Sequence, residues 1–84
     1  MPNQIVRTRK ARVLVVDDDH DLAAFLVDML SGFGHDATAQ HNTADTQRAI
    51  EEAAPDLLVT DVCMAGADGI ELIGWTRRFD PRVA

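Results

Sequence analysis

The chain has 84 residues, of which 46% are hydrophobic and 26% charged, and its net charge is −6 at pH 7. This length supports one small domain with one hydrophobic core, and the composition excludes a disordered or fibrous protein. The single cysteine, Cys63, excludes an internal disulfide, so we expect a cytoplasmic protein.

The charges are unevenly distributed along the chain. Four of the eight basic residues precede Val13, and from Val13 onward four basic residues accompany fourteen acidic ones. We therefore divide the chain into a basic N-terminal arm, residues 1–11, and a folded part, residues 12–84. The acidic body disfavours phosphate backbones and favours cations or basic partner surfaces, so we interpret the arm as a solvated tail. The apolar run after the arm is four residues long, too short for a signal peptide or a membrane span.

The first half of the folded part predicts a strand, a helix and a weaker second strand. Residues 13–16 are continuously apolar, which favours a central strand covered on both faces. An apolar stripe at helical spacing then ends at Gly34 and predicts helix one. Its members are Leu22, Phe25, Leu26, Met29, Leu30 and Phe33. Residues 36–41 alternate weakly and predict a short strand.

The second half predicts a helix, a strand and another helix. Asn42 or Thr43 is suited to cap a helix that Pro55 ends. The inward positions of that helix are Thr46, Ile50 and Ala53. Residues 57–60 predict another buried strand, followed by Asp61, a loop, and a helix over residues 69–79. Within this last helix Trp75 and Phe79 belong either to the core or to a partner-binding face.

Alternating strands and helices predict an α/β fold, a parallel sheet with helices on both faces. Asp17 and Asp18 follow strand one, and Asp61 follows strand three. If the strand order is 2-1-3, these carboxylates meet at the carboxyl edge of the sheet, where open α/β sheets bind ligands. Two carboxylates about 5 Å apart repel by roughly 3 kcal/mol at an effective dielectric constant near 20. A divalent cation offsets this repulsion, and hard oxygen ligands favour Mg²⁺, with Mn²⁺ as the alternative.

Three segments together resemble the receiver domains of two-component response regulators. They are VLVVDDD, PDLLVTD and CMAGADGIEL, and they correspond in order and spacing to that family's acidic pair, phosphoacceptor strand and following loop. The resemblance covers residues 12–84. It implies a flavodoxin-like parallel sheet in which this chain supplies a partial (βα)3 of the usual (βα)5.

The resemblance also implies a role for each acidic residue. Asp61 would accept a phosphoryl group from a phosphohistidine on a sensor histidine kinase or phosphotransfer protein. Asp18, Asp61 and the backbone carbonyl of Cys63 would bind Mg²⁺, and Asp17 would hold a metal-bound water or assist coordination. The chain would be a stoichiometric phosphoacceptor rather than an enzyme. Asp19, just beyond the acidic pair, is expected to face solvent or to cap helix one.

The chain departs from the family pattern at its C-terminus and in one loop. Val83 and Ala84 align with the start of strand four, so the family's later serine or threonine, lysine and aromatic switch position are missing. We therefore expect slower transfer, impaired autophosphatase activity, and self-association or strand exchange through the exposed edge of strand three. Ala65 replaces the usual proline, which predicts a looser loop. Contact with nucleic acid would require an output domain outside these residues.

The main alternative is a degenerate receiver that acts as a noncatalytic docking or dimerisation module. A haloacid-dehalogenase-like phosphatase would use Asp17 and Asp19, but it expects threonine or valine where Asp21 stands. A calcium loop that begins at Asp17 would need glycine where Leu22 stands, and its last ligand would be Asp28 instead of glutamate. The histidines, His20, His35 and His41, are expected to be exposed, with His20 at the rim of the acidic site.

Overall fold

The computed structural model describes residues 10–64 and 67–84. Most of the predicted basic arm and the predicted effect of Ala65 lie outside these residues. The three long helices are α1 (His20–Gly32), α2 (Thr43–Glu52) and α3 (Gly69–Phe79). The strands are β1 (Arg12–Val16), β2 (Asp36–Gln40), β3 (Leu57–Thr60), β4 (Cys63–Met64) and β5 (Ala67–Asp68).

The first three strands form a parallel sheet in the order β2-β1-β3, which confirms the predicted topology. The short strands β4 and β5 pair antiparallel with each other, in a region that the sequence predicted to be only a loop. Because β1 lies between β2 and β3, its carboxyl end is flanked by the ends of both neighbours. This arrangement is the flavodoxin-like α/β architecture expected from the sequence.

Hydrophobic side chains of β1 alternate between two core clusters. Leu14 and Val16 pack with Ile50 of α2 and Leu72 of α3 on one face of the sheet. Val13 and Val15 contact α1 on the other face, where buried Ala23 and half-buried Leu26 and Leu30 complete the second cluster. Within the described part of the chain, one face therefore carries two helices and the opposite face carries one.

The face with a single helix is incompletely covered. The register pairs Val13 with Leu57 and Val15 with Val59, so these four side chains point to the α1 side of the sheet. Leu57 and Val59 are nevertheless 37% and 38% exposed. The prediction of a buried strand at residues 57–60 is thus wrong for this face, because among the described residues no helix lies over β3 there.

The apolar stripe of α1 is also only partly buried. Leu26 and Leu30 contact the sheet as predicted. Four other members remain exposed: Leu22, Phe25, Met29 and Phe33. The helix is apolar over a wider arc than the sheet beneath it covers. We call Leu22, Phe25, Met29, Phe33, Leu57 and Val59 the α1–β3 apolar surface.

The ends of α2 follow the predicted signals, with one exception. Asn42 is the N-cap, and its side chain accepts a hydrogen bond from the Asp45 N–H at 2.8 Å. Thr46 and Ile50 are fully buried as predicted. Ala53, predicted to face inward, is instead exposed, because the helix ends at Glu52 and Ala53 adopts an extended conformation.

The C-terminal residues return to the sheet beside β3. The Ala84 N–H donates to the Asp56 carbonyl at 3.0 Å, and the Ala84 carbonyl accepts from the Leu58 N–H at 2.8 Å. These two hydrogen bonds have the pattern of a parallel pair, at the position that the sequence aligned with the start of the family's strand four. In the preceding turn, hydrogen bonds from the side chain and backbone of Arg82 hold the pKa of Asp80 below its usual value.

Candidate metal centre

Three carboxylates meet at the carboxyl edge of the sheet. Asp17 and Asp18 directly follow β1, and Asp61 directly follows β3. One oxygen from each carboxylate lies within 4.8 Å of the other two. Residues separated by 44 positions in the sequence therefore come together, as the order 2-1-3 predicted.

Backbone hydrogen bonds continue past the strand ends and hold these residues in place. The Asp61 N–H donates to the Val16 carbonyl at 3.0 Å, and the Asp17 N–H donates to the Gln40 carbonyl at 3.1 Å. Asp17 and Asp61 are thus each anchored to a neighbouring strand through the backbone nitrogen. The position of the cluster is therefore set by the sheet.

The three side chains differ in their exposure to solvent. Asp17 is buried, at 6% exposed, and its Oδ1 accepts a hydrogen bond from the Asp19 N–H at 2.9 Å. Asp61 is half-buried and Asp18 is exposed. The cluster therefore has a fixed interior side and a side that opens to solvent.

This donor set fits a hard divalent cation. Carboxylates at such separations repel by several kcal/mol at an effective dielectric constant near 20, and a cation removes that repulsion. Mg²⁺ takes oxygen ligands and retains several waters, so it suits a small carboxylate group with one side open to solvent. Cys63, whose carbonyl was predicted as a further ligand, lies two residues beyond Asp61 and pairs with Asp68 in the β4–β5 hairpin.

Asp19 has a structural role, as predicted. It is the N-cap of α1, and its Oδ1 accepts hydrogen bonds from the N–H groups of Asp21 and Leu22, both at 3.1 Å. The consecutive aspartates 17 to 19 therefore divide into two members of the carboxylate cluster and one helix cap.

Two histidines lie beside the cluster, and sequence reasoning recognised only one of them. His20 is exposed, as predicted, and its ring stacks on that of His41 with centroids 3.7 Å apart and an interplanar angle of 11°. His41 Nδ1 lies 2.9 Å from the Asp17 carbonyl oxygen. The signal for His41 was its place directly after β2, at the same edge as the aspartates.

The expectation that all three histidines are exposed is wrong for two of them. His41 is half-buried because it packs between His20 and the backbone after β1. His35 is half-buried, and its Nδ1 accepts a hydrogen bond from the Ala11 N–H at 3.1 Å. Both act as connections between the ends of strands.

Gly69 allows the chain after Asp61 to pack closely against the start of α3. It is buried, and its N–H donates to the Val62 carbonyl at 3.2 Å. A Cβ atom there would overlap the Asp61 carbonyl oxygen and lie 2.9 Å from Val62 Cα. The backbone at Asp61 is thus held in place by a contact that only glycine permits.

The fold and the acidic edge are those of a flavodoxin-like α/β domain with a carboxylate cluster at the carboxyl edge of its sheet. Residues 13–84 match the family model of the response regulator receiver domain. The chain therefore belongs to the response regulator receiver domain family. Among the described residues, no helix is both long and apolar enough to cross a membrane.

Two curated relatives illustrate the family. The response regulator receiver protein CpdR of Brucella abortus is 37% identical over 70 residues, which are 83% of this chain and 58% of CpdR. The DNA-binding response regulator MtrA of Mycolicibacterium smegmatis is 37% identical over 65 residues, which are 77% of this chain and 28% of MtrA. The chain thus spans little more than half the length of the first relative and less of the second.

Solved structures agree with this assignment. The response regulator TrrA of Thermotoga maritima, crystallised in complex with Mg²⁺-BeF, superposes with a TM-score of 0.82 at 27% identity over 89% of this chain and 64% of TrrA. NtrX of Brucella abortus in complex with ATP superposes with a TM-score of 0.85 at 28% identity, over 89% of this chain and 17% of NtrX.

Proposed function

We propose that this receiver domain accepts a phosphoryl group on Asp61 in a Mg²⁺-dependent reaction. The observation that carries the proposal is the convergence of the three carboxylates of Asp17, Asp18 and Asp61 within 4.8 Å. Membership of the receiver family supports it, as does the relative TrrA, which was crystallised with Mg²⁺-BeF. The donor would be a phosphohistidine of a sensor histidine kinase or a phosphotransfer protein, in the cytoplasm.

The residues of the site have distinct tasks in this proposal. A carboxylate oxygen of Asp61 forms the bond to phosphorus while the bond from phosphorus to the donor imidazole nitrogen breaks, and the released imidazole takes a proton from solvent. Asp17, Asp18, Asp61 and the backbone carbonyl of Cys63 would hold Mg²⁺ (or Mn²⁺), with Asp17 binding directly or through a water. The bound ion would neutralise the charge that develops on the phosphoryl oxygens.

The burial of Asp17 and that of Asp61 suit their proposed tasks. Asp17 is buried and held by the Asp19 N–H, so it provides a fixed anion at the base of the site. Asp61 is half-buried, which leaves room for a phosphoryl donor to approach. Because the aspartyl phosphate stays on the protein, the domain acts as a stoichiometric acceptor and not as an enzyme.

Mg²⁺ is expected to raise the melting temperature of the protein. A ligand that binds only the folded state adds about 2.7 kcal/mol to the free energy of unfolding at a concentration of 100 times Kd. Differential scanning calorimetry with and without millimolar MgCl₂, at matched ionic strength, measures the effect.

The variant Asp18→Asn is the control for this measurement. Asparagine removes one carboxylate from the cluster, so we expect a much smaller rise of the melting temperature on addition of Mg²⁺. Equal responses of the wild type and the variant would show that stabilisation by Mg²⁺ does not arise at this cluster.

A second candidate function, a noncatalytic docking or dimerisation module, is favoured by the α1–β3 apolar surface. Phe25 and Phe33 are 61% and 73% exposed, and the two exposed residues of β3 lie on the same face of the sheet. Beyond Leu58, β3 is also an edge strand among the described residues. An apolar surface beside an edge strand promotes strand addition, so we infer that a second copy of the chain associates here.

Self-association through this surface is expected to be weakened by Val59→Lys, which places a charge on the exposed face of β3. Phe79→Glu is the matched control, since Phe79 is 46% exposed but lies on α3, on the opposite face of the sheet. Sedimentation velocity over a range of concentrations should show dimers for the wild type and the control. A wild type that is monomeric at all concentrations would argue against this contact.

A further inference from the structure

We propose that His41 is a positioning residue that orients both Asp17 and Asp18 for Mg²⁺ binding. The proposal rests on the function proposed above and adds a residue that the carboxylate cluster does not contain. His41 touches none of the reacting atoms. It acts through the backbone of Asp17.

The acceptor fixes the direction of the hydrogen bond between His41 and Asp17. His41 Nδ1 lies 2.9 Å from the Asp17 carbonyl oxygen. A carbonyl oxygen only accepts, so Nδ1 carries the proton and donates it. The bond joins residues 24 positions apart and is partly buried, which makes it stronger than the same contact in water.

This hydrogen bond fixes the orientation of one peptide unit. The Asp17 carbonyl belongs to the peptide unit that joins Asp17 to Asp18, and peptide units are planar and rigid. A bond to this oxygen therefore sets the orientation of the plane from which both aspartates extend. One hydrogen bond thus affects two proposed ligands at once.

Hydrogen bonds from the backbone and the side chain hold Asp17 in place. Its N–H donates to the Gln40 carbonyl at 3.1 Å, and its carbonyl accepts from His41, the next residue after Gln40. Its side chain accepts from the Asp19 N–H at 2.9 Å. The last residue of β2 and the residue after it thus each make one hydrogen bond to the backbone of Asp17, and without the His41 side chain only the bond to Gln40 remains.

Ring stacking restricts the side chain of His41. His20, the first residue of α1, stacks on it with centroids 3.7 Å apart, which limits rotation of the His41 ring. The stack links the start of α1 to the segment after β2. His20 thus helps to orient His41 Nδ1, which is the donor of the hydrogen bond to the Asp17 carbonyl.

Three variants distinguish the effect of the His41 hydrogen bond from the effect of its ring stacking on His20. His41→Phe keeps an aromatic ring for His20 but removes the donor. His41→Asn removes the ring but retains an amide N–H close to the position of Nδ1, and His20→Ala removes the stack and leaves the donor. Isothermal titration with MgCl₂, well below the melting temperature of each variant, gives the metal affinity.

We expect His41→Phe to weaken Mg²⁺ binding about tenfold, in the range typical of residues that orient metal ligands. His41→Asn should stay within about threefold of the wild type, and His20→Ala should fall between the two. A merely structural role would not restore affinity in the asparagine variant, because asparagine lacks the ring contacts that phenylalanine keeps.

A measurement without metal keeps this inference separate from the proposed function. Amide hydrogen exchange at the Asp19 N–H, which donates to Asp17 Oδ1, should be faster in His41→Phe and near the wild-type rate in His41→Asn. Unchanged exchange and unchanged Mg²⁺ affinity in His41→Phe would overturn the role of His41. Absence of Mg²⁺ binding in the wild type would instead overturn the proposed function, and the exchange rates would still decide whether His41 orients Asp17.

Discussion

Replacement of Asp61 by asparagine is expected to abolish phosphorylation of the protein. In the wild type, incubation with Mg²⁺ and acetyl phosphate should add about 80 Da, the mass of one phosphoryl group. Asparagine occupies the same volume but offers an amide in place of the nucleophilic carboxylate, so no aspartyl phosphate forms. Intact-mass spectrometry measures the adduct directly, and omission of Mg²⁺ should remove it as well.

Asp19→Asn is the matched control for this experiment. It also removes one negative charge near the site, but Asp19 caps α1 and asparagine caps helices about as well as aspartate. We expect its adduct to form as in the wild type. An adduct that persists in Asp61→Asn would show that another residue accepts the phosphoryl group, and its absence from the wild type would favour the docking module.

The second large effect is expected at Gly69. In Gly69→Ala the new Cβ overlaps the Asp61 carbonyl oxygen and lies 2.9 Å from Val62 Cα, and both contacts are with backbone that cannot rotate away. Overpacking of this kind costs about 1 to 3 kcal/mol of the free energy of unfolding. The shift needed to relieve the overlap displaces Asp61 itself, so phosphorylation should decrease more than stability alone explains.

Gly32→Ala provides the comparison for Gly69→Ala. Gly32 is the last residue of α1 and is exposed, and a Cβ atom added there would meet nothing within 4 Å beyond its own chain neighbours and helix backbone. Alanine there should be neutral or stabilise by up to about 1 kcal/mol. Urea denaturation of both variants tests the difference, and equal stability of the two would contradict a close contact at Gly69.

The elements of the fold were largely predictable because their signals are local. The continuous apolar run before Asp17 marked β1, and Gly69 and Phe79 bounded α3 as predicted. The strand order then brought Asp61 to Asp17 and Asp18 by a rule of parallel sheets that needs no detailed coordinates. Coverage of each face was not predictable, because an apolar residue such as Val59 has the same pattern whether or not a helix lies over it.

The convergence of the three carboxylates was predictable from the sequence, but the contacts that hold them in place were not. Asp17, Asp18 and Asp61 stand in a recognisable spacing, and the capping role of Asp19 follows from its place before a helix. The hydrogen bond from His41 depends on the direction in which its side chain extends after β2. No spacing in the sequence specifies that direction. The burial of Asp17 likewise depends on how the ends of two strands meet.

The pairing of Val16 with Thr60 has a consequence for how the sheet assembles. A slip of β3 by one residue would reverse the faces of its side chains and carry Asp61 away from the end of β1. Only the native alignment would then offer all three carboxylates to a single divalent ion. Under the proposed function, binding of that ion would stabilise the native alignment of β3 relative to the slipped one.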